Sequence, residues 1–264
     1  MSSSSFKKES GLDGLSTHRQ LLVLGLLGLS AYLAGFSVHA EERKPFIQWH
    51  TSNLQYLRGW DYQLGSAKRS IFTFEHANGW KYGDLFLFVD ATFEDSSDKT
   101  AYGELSPRLS ISKITGRSLE YGPLKDVLLA TTYERGERGL NRYLYGGALD
   151  WKVPGFSFLK THFYVRDDPH APSKTWQSTV CWQIPFKLGR TGWVCEGFAD
   201  FAGSEGRLAS NQMIVPRLLL DIGGLVGAGD SKYWLGVEYS YWHNKFGVSG
   251  VTESVPQLQV KWQF

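Results

Sequence analysis

SVPQLQVKWQF, residues 254–264, alternates without a break. Leu258, Val260, Trp262 and Phe264 fall on one side of an extended chain; Gln257, Gln259, Lys261 and Gln263 fall on the other. Successive side chains of a strand point to opposite faces, so this stretch reads as a strand with one apolar and one polar surface. The same period of two recurs upstream. In Gly83 to Glu94, Leu85, Leu87, Val89, Ala91 and Phe93 oppose Asp84, Phe86, Phe88, Asp90, Thr92 and Glu94. Leu159, Thr161, Phe163 and Val165 oppose Lys160, His162, Tyr164 and Arg166. Tyr233, Leu235, Val237, Tyr239 and Tyr241 oppose Trp234, Gly236, Glu238, Ser240 and Trp242. A soluble sandwich also hides one face of each strand. Placing Trp176, Trp182, Trp193 and Trp262 at strand ends, however, matches the aromatic girdles of a membrane barrel.

About twelve segments have the ~10-residue length of a membrane strand. They run over 46–57, 69–78, 82–95, 101–114, 124–136, 141–152, 157–167, 173–185, 191–203, 209–223, 232–244 and 254–264. The expected fold is therefore all-β: a transmembrane antiparallel up-and-down β-barrel over residues 41–264. An even strand number returns both ends of the sheet to the periplasmic side. DSSDKTAYG, ERGERG, RDDPHAPS and AGSEGRLAS are polar and read as outer loops; ANGWK, KVPGF and KLGRTG read as periplasmic turns, with SLEYGPLK a longer one. A closed barrel leaves no sheet edge unpaired in lipid, so residues 254–264 are expected to pair with the first strand. A terminal aromatic after alternating apolar residues also resembles the end signature of bacterial outer-membrane barrels, which the barrel-assembly machinery reads.

Residues 1–40 carry a different signal. Lys7, Lys8 and Arg19 precede the apolar run LLVLGLLGLSAYLAGF (21–36), and Val38-His39-Ala40 offers a small-x-Ala exit. This is the pattern of a cleaved secretory signal peptide. The remaining chain has 25 basic and 24 acidic residues, a net charge of +1 with His neutral, and no surface suited to nucleic acid is expected. With 29 Gly, 10 Trp, 13 Tyr and 16 Phe and a mean hydropathy of −0.26, the composition fits a barrel. Its lumen-facing and lipid-facing residues cancel in any window.

The candidate lumen face mixes carboxylates with aromatics. Asp84, Phe86, Phe88 and Asp90 alternate on one strand; Glu196, Phe198 and Asp200 alternate on another, while Trp193, Cys195, Gly197, Ala199 and Phe201 look outward. Glu75 and Arg69, Glu104 and Arg108, and Glu238 add charge. Inward phenylalanines dewet a pore and do not suit a general diffusion porin. They suit a pore for flat, hydroxylated solutes, because aromatic stacking contributes ~1–3 kcal/mol per base and carboxylates accept hydrogen bonds from ribose hydroxyls. The alternative is that Phe86 and Phe88 are packing that plugs a small barrel.

The stretches SIFTFEHANGWKYGDLFLFVD (70–90), YGELSPRLSISKITGRSLEYGPLKDVLLATTYERG (102–136) and CEGFADFAG (195–203) resemble the Tsx-like nucleoside-specific outer-membrane channels, including their OmpK branch. The resemblance spans essentially the whole mature chain. It implies a monomeric barrel of about twelve strands in the outer membrane, passing nucleosides and deoxynucleosides passively through weak sites. It implies lumen phenylalanines beside ionisable and amide side chains, with Asn53, Glu75 and Phe198 where such residues are expected. It also implies a receptor role for phages or a colicin. The expected surroundings are outer-membrane lipid and lipopolysaccharide; no cofactor and no metal is expected.

Two further constellations bear on function. His50 and Ser52 share one face of the first strand, and an H-x-S pair resembles those of outer-membrane lipid hydrolases. A hydrolase needs a third group to orient the histidine, and Glu75 on the neighbouring strand is expected to face the lumen, so a chance pair is the expectation and no enzyme is expected. Cys181 and Cys195 flank the KLGRTG turn, but the strand parities put Cys181 inward and Cys195 outward, which leaves their pairing open. The rival readings are a general or differently selective small porin, a surface receptor, and a lipid hydrolase dependent on Ser52.

Overall fold

The computed structural model describes residues 45–95, 98–229 and 231–264. The expected signal peptide, residues 1–40, lies outside the described residues. Twelve strands follow in order: β1 (Ile47–Trp60), β2 (Lys68–Trp80), β3 (Gly83–Glu94), β4 (Lys99–Ser110), β5 (Leu124–Gly136), β6 (Asn141–Trp151), β7 (Phe158–Asp167), β8 (Thr175–Leu188), β9 (Thr191–Ala202), β10 (Asn211–Asp221), β11 (Tyr233–His243) and β12 (Thr252–Gln263). Each pairs antiparallel with its neighbours in sequence, and β12 closes on β1. At this seam Asn53 pairs with Gln263 and Gly59 with Gln257. Phe264 extends it, its N–H donating to the Ser52 carbonyl at 2.9 Å.

The burial pattern is inverted relative to a water-soluble protein. On β12 Gln257, Gln259 and Lys261 are buried, whereas Leu258 is 56% and Val260 46% exposed. The same inversion holds on β1, where Asn53 and Gln55 are buried while Leu54 and Tyr56 are exposed. An apolar wall facing outward on every strand is far larger than the patches soluble monomers expose; it is a surface for hydrocarbon. The chain is thus a closed outer-membrane-type β-barrel, as the period of two predicted. Trp176, Trp193 and Trp262 lie towards strand ends on that outer wall. Trp182 does not: it stands in the middle of β8, and its ring covers Gly197 on β9, where an added Cβ would sit 2.9 Å from the indole.

Two strands stop earlier than the alternation predicts, each because a polar residue caps a one-turn helix. β4 ends at Ser110, whose hydroxyl accepts from the Lys113 N–H at 3.0 Å and starts α1 (Ile111–Thr115). β10 ends at Asp221, whose carboxylate accepts from Gly224 N–H at 3.0 Å and Ser231 N–H at 2.7 Å around α2 (Ile222–Val226). Helix capping by Ser and Asp of this kind satisfies donors that the sheet leaves free. Both caps lie at the end of the barrel that also carries the Phe264 terminus.

Inside, Leu128 and Ala130 of β5, Leu144 and Ala148 of β6 and Tyr164 of β7 form a buried apolar patch. One close approach tests the wall itself. An added Cβ at Gly236 of β11 would lie 2.0 Å from the Leu218 carbonyl oxygen of β10. Gly236→Ala is therefore expected to strain the β10–β11 ladder by ~1–3 kcal/mol. The folded fraction after refolding, read from heat-modifiable electrophoretic mobility, checks this; an unchanged fraction would show that the ladder yields there at no cost.

Candidate functional site

Residues paired across an antiparallel ladder share a face, so one buried position determines the parity of the whole wall. From Asn53 and Thr73 the inner face follows through Asp84, Phe86, Phe88 and Asp90 on β3 and Glu104 and Arg108 on β4. On the other side it runs through Glu238 on β11, Arg217 on β10, and Glu196, Phe198 and Asp200 on β9. All twelve residues singled out from the sequence thus face the barrel interior: Asn53, Glu75, Asp84, Phe86, Phe88, Asp90, Glu104, Arg108, Glu196, Phe198, Asp200 and Glu238.

They fall into three groups. The first centres on Arg217. Its Nη1 donates to Glu75 Oε1 at 2.9 Å and its Nε to Glu238 Oε2 at 2.6 Å. Glu75 is on β2, four strands away around the wall, so this bond runs through the interior rather than along the sheet. Asn53 Nδ2 donates to the other Glu75 oxygen at 3.0 Å. Lys261 Nζ reaches Glu196 Oε1 at 2.6 Å, and Gln183 Nε2 donates to Glu196 Oε2 at 2.9 Å. Every carboxylate here is matched to a cation, the condition under which charges persist away from bulk water.

The second group centres on Arg108. Its guanidinium forks between Asp84 (2.5 and 2.8 Å) and Asp150 of β6 (2.7 and 3.2 Å). Lys160 Nζ on β7 approaches Asp84 at 3.6 Å, and His162 Nε2 stands 3.4 Å from Arg108. The planar fork suits two carboxylates at once, which an ammonium cannot do.

The third group holds the carboxylates whose partners are hydroxyls instead of cations. Asp90 accepts from Thr73 at 2.6 Å, Glu104 from Tyr102 at 2.7 Å and Asp200 from Thr179 at 2.5 Å. The aromatic residues stand among them. Phe86 and Phe88 have ring centroids 6.1 Å apart, and Phe88 lies 5.7 Å from Tyr102, making a row along β3 and β4. Phe198 sits on β9, in register with Cys181 and Val215. The arrangement offers π-faces beside free acceptor lone pairs.

At the loop end of the lumen, Arg142 bridges Glu134 at 2.7 Å and Asp168 at 3.3 Å. Glu205, in the β9–β10 connection, lies 3.8 Å from Arg166; burial pushes its carboxyl up and the Arg166 guanidinium pulls it down.

Sequence reasoning left Arg217 out of the candidate set. A signal was present, since Arg217 is the only charge between Met213 and Leu220. A cation in a strand with a lipid-facing side has to point inward. Asp150 and Lys261 were missed as site members because only the barrel brings them to Arg108 and Glu196. The two cysteines are free thiols on opposite faces, Cys181 inward and Cys195 outward. On the outer face, Ser52 finds a partner that sequence reading did not offer: its Oγ is 2.8 Å from His76 Nδ1.

A family model described as "Nucleoside-specific channel-forming protein, Tsx" matches residues 45–249. The outer membrane protein OmpK of Vibrio parahaemolyticus serotype O3:K6 (strain RIMD 2210633) is 24% identical, over 69% of this chain and 75% of that protein. Among solved structures, a KdgM porin aligns at a TM-score of 0.47 and 9% identity, covering 81% of this chain and 99% of its own. The translocator domain of the autotransporter NalP from Neisseria meningitidis aligns at 0.31 and 11% identity, covering 94% and 98%.

Proposed function

Because the chain belongs to the Tsx family of nucleoside-specific channel-forming proteins, we propose that nucleosides and deoxynucleosides are the solutes its outer-membrane barrel passes. The observation that supports this most is the third lumen group. Phe86, Phe88 and Phe198 offer faces to a base, while Asp90, Glu104 and Asp200 keep acceptor capacity that no cation takes up. A ribose hydroxyl exchanges readily with the Thr or Tyr hydroxyl that each carboxylate now holds. Binding has to stay weak, since a solute held tightly leaves slowly. Passage by this route needs no covalent step. The sheet closes within one chain, which supports a monomeric channel.

A planar-bilayer titration tests the reading. If Phe198 stacks on a base, Phe198→Ala should weaken adenosine block by roughly 5- to 150-fold, the equivalent of one ~1–3 kcal/mol contact. Open-channel conductance should rise or stay level, because Ala removes no charge. Ribose and an uncharged disaccharide serve as controls. Weakening confined to adenosine supports a stacking site; equal weakening for all three makes Phe198 a pore-shaping residue only. Absence of nucleoside block in a conducting wild-type barrel would favour a differently selective porin governed by the Arg108 and Arg217 clusters.

A further inference from the structure

Towards the barrel end that carries Phe264, the outer wall of β1 and β2 holds a polar block within apolar surroundings. Four polar residues stand there as a block two strands wide: Ser52 is directly opposite His76, and His50 is directly opposite Asn78. Their outward neighbours are apolar. Leu54 and Phe74 pair on one side, Leu87 lies across from His76, and Leu85 across from Asn78. Polar side chains on a lipid-facing wall are costly and mark function more often than packing. The hydrogen bonds of the block run in sequence: Ser52 Oγ lies 2.8 Å from His76 Nδ1, and His76 Nε2 lies 3.1 Å from Asn78 Nδ2. The His50 ring stacks beside His76 with centroids 6.4 Å apart and 22° between planes.

We propose that this block is an acyl-ester hydrolase site for a membrane glycerophospholipid, with Ser52 as nucleophile and His76 as general base. Asn78 is the positioning residue. With Nδ1 accepting the Ser52 proton, Nε2 carries the ring hydrogen, and Asn78 offers its Oδ1 to it by a half-turn of the amide, whose two ends have the same shape. A nucleophile, a base and an orienting side chain in this sequence of contacts form the triad geometry of acyl transfer. His50 is exposed on the same face, two residues before Ser52, and we assign it the role of donor to a developing oxyanion. The surroundings select the substrate. Leu54, Phe74, Leu85 and Leu87 form a bed for acyl chains. Trp80 packs against Phe46 at 5.5 Å and Tyr82 at 5.9 Å, forming an aromatic step at the nearby barrel rim. Lys81, its ammonium 5.1 Å over the Tyr82 ring, stands at headgroup level for a phosphate.

The chemistry closes without any group beyond lipid and water. Ser52 Oγ bonds to the ester carbonyl carbon as its proton passes to His76 Nδ1. The carbon–oxygen bond to the glycerol then breaks, and His76 returns the proton to the departing alkoxide, giving a lysophospholipid and an acyl-Ser52 ester. Water attacks that ester, His76 takes the water proton, and it passes to Ser52 Oγ as the carbon–Oγ bond breaks. The released product is a fatty acid.

The test uses the full chain refolded in detergent micelles, with single-channel conductance as the measure of correct folding. The probes are a phosphatidylcholine with a self-quenched fluorescent acyl chain and hexadecanesulfonyl fluoride. Wild type is expected to release fatty acid and to gain one adduct on the peptide that contains Ser52. Ser52→Ala and His76→Phe should reduce release to the protein-free blank and abolish the adduct while conductance stays unchanged, since neither side chain faces the lumen. Asn78→Ala should lower the rate by roughly 100-fold or more, and Asn78→Asp should recover most of it, which a purely structural residue would not do. A conducting wild-type barrel that neither hydrolyses the lipid nor reacts with the fluoride overturns the proposal. So does release that survives Ser52→Ala, or an adduct on another residue. Because nucleoside block is read separately, the two readings fail independently.

Discussion

Arg217→Leu is expected to destabilise the barrel by ~3–5 kcal/mol, the cost of removing one partner from a buried ionic cluster. Without Arg217, Glu238 and Glu75 lose the guanidinium that binds them at 2.6 and 2.9 Å. Lys261 remains, but its ammonium is held by Glu196 at 2.6 Å and cannot fork between Glu75 and Glu238 as the guanidinium does. Denaturant unfolding in micelles measures the loss as a shift in midpoint. Arg217→Lys should recover part of it, because an ammonium keeps the charge yet cannot fork between Glu75 and Glu238. The combination of Arg217→Leu with Glu75→Gln and Glu238→Gln should recover more than the single change, since it removes the stranded charges along with their partner. Reversal potential supplies a second readout: losing a lumen cation should move the channel towards cation preference. An unchanged midpoint together with an unchanged reversal potential would show that the cross-lumen bond carries neither stability nor selectivity.

Leu218→Arg should be almost as damaging, although it lies one residue away and introduces the side chain that position 217 already carries. Leu218 is 48% exposed on the outer wall and pairs with Val237 and Cys195, both outward. An arginine there meets hydrocarbon, with a penalty of ~2–4 kcal/mol near the bilayer midplane that declines towards the interfaces. Folding yield into lipid vesicles, compared with yield in short-chain detergent, separates this from a packing defect. A lipid-specific loss is expected for Leu218→Arg, and no such lipid dependence for Arg217→Leu. Equal behaviour of the two in both media would mean that the face assignment of β10 is wrong.

The inward placement of Glu75, Asp84, Phe86, Phe88, Asp90, Glu104, Arg108, Glu196, Phe198, Asp200 and Glu238 was readable from alternation, because side-chain direction in a strand is set by the nearest neighbours alone; Asn53 came only from the family resemblance. Strand ends were read less well where a cap intervened. Ser110 and Asp221 look like ordinary strand residues until their side chains are seen to accept from the backbone three residues on. Trp182 also departed from expectation, since its place is set by the bare backbone of Gly197 on the next strand.

Residues 254–264 thus determined, by themselves, that this chain builds a wall with one apolar and one polar face, and the other segments repeated that decision strand by strand. What they could not state is which polar residues meet. Arg217 reaches Glu75, and Lys160 reaches Asp84, each from four strands away. Ser52 finds His76 only because the β1–β2 register sets them directly opposite. Periodicity is a local property and survives in the sequence. Register and closure are summed over the whole ladder, and a one-residue slip of any strand would send that strand's inner residues to the other face.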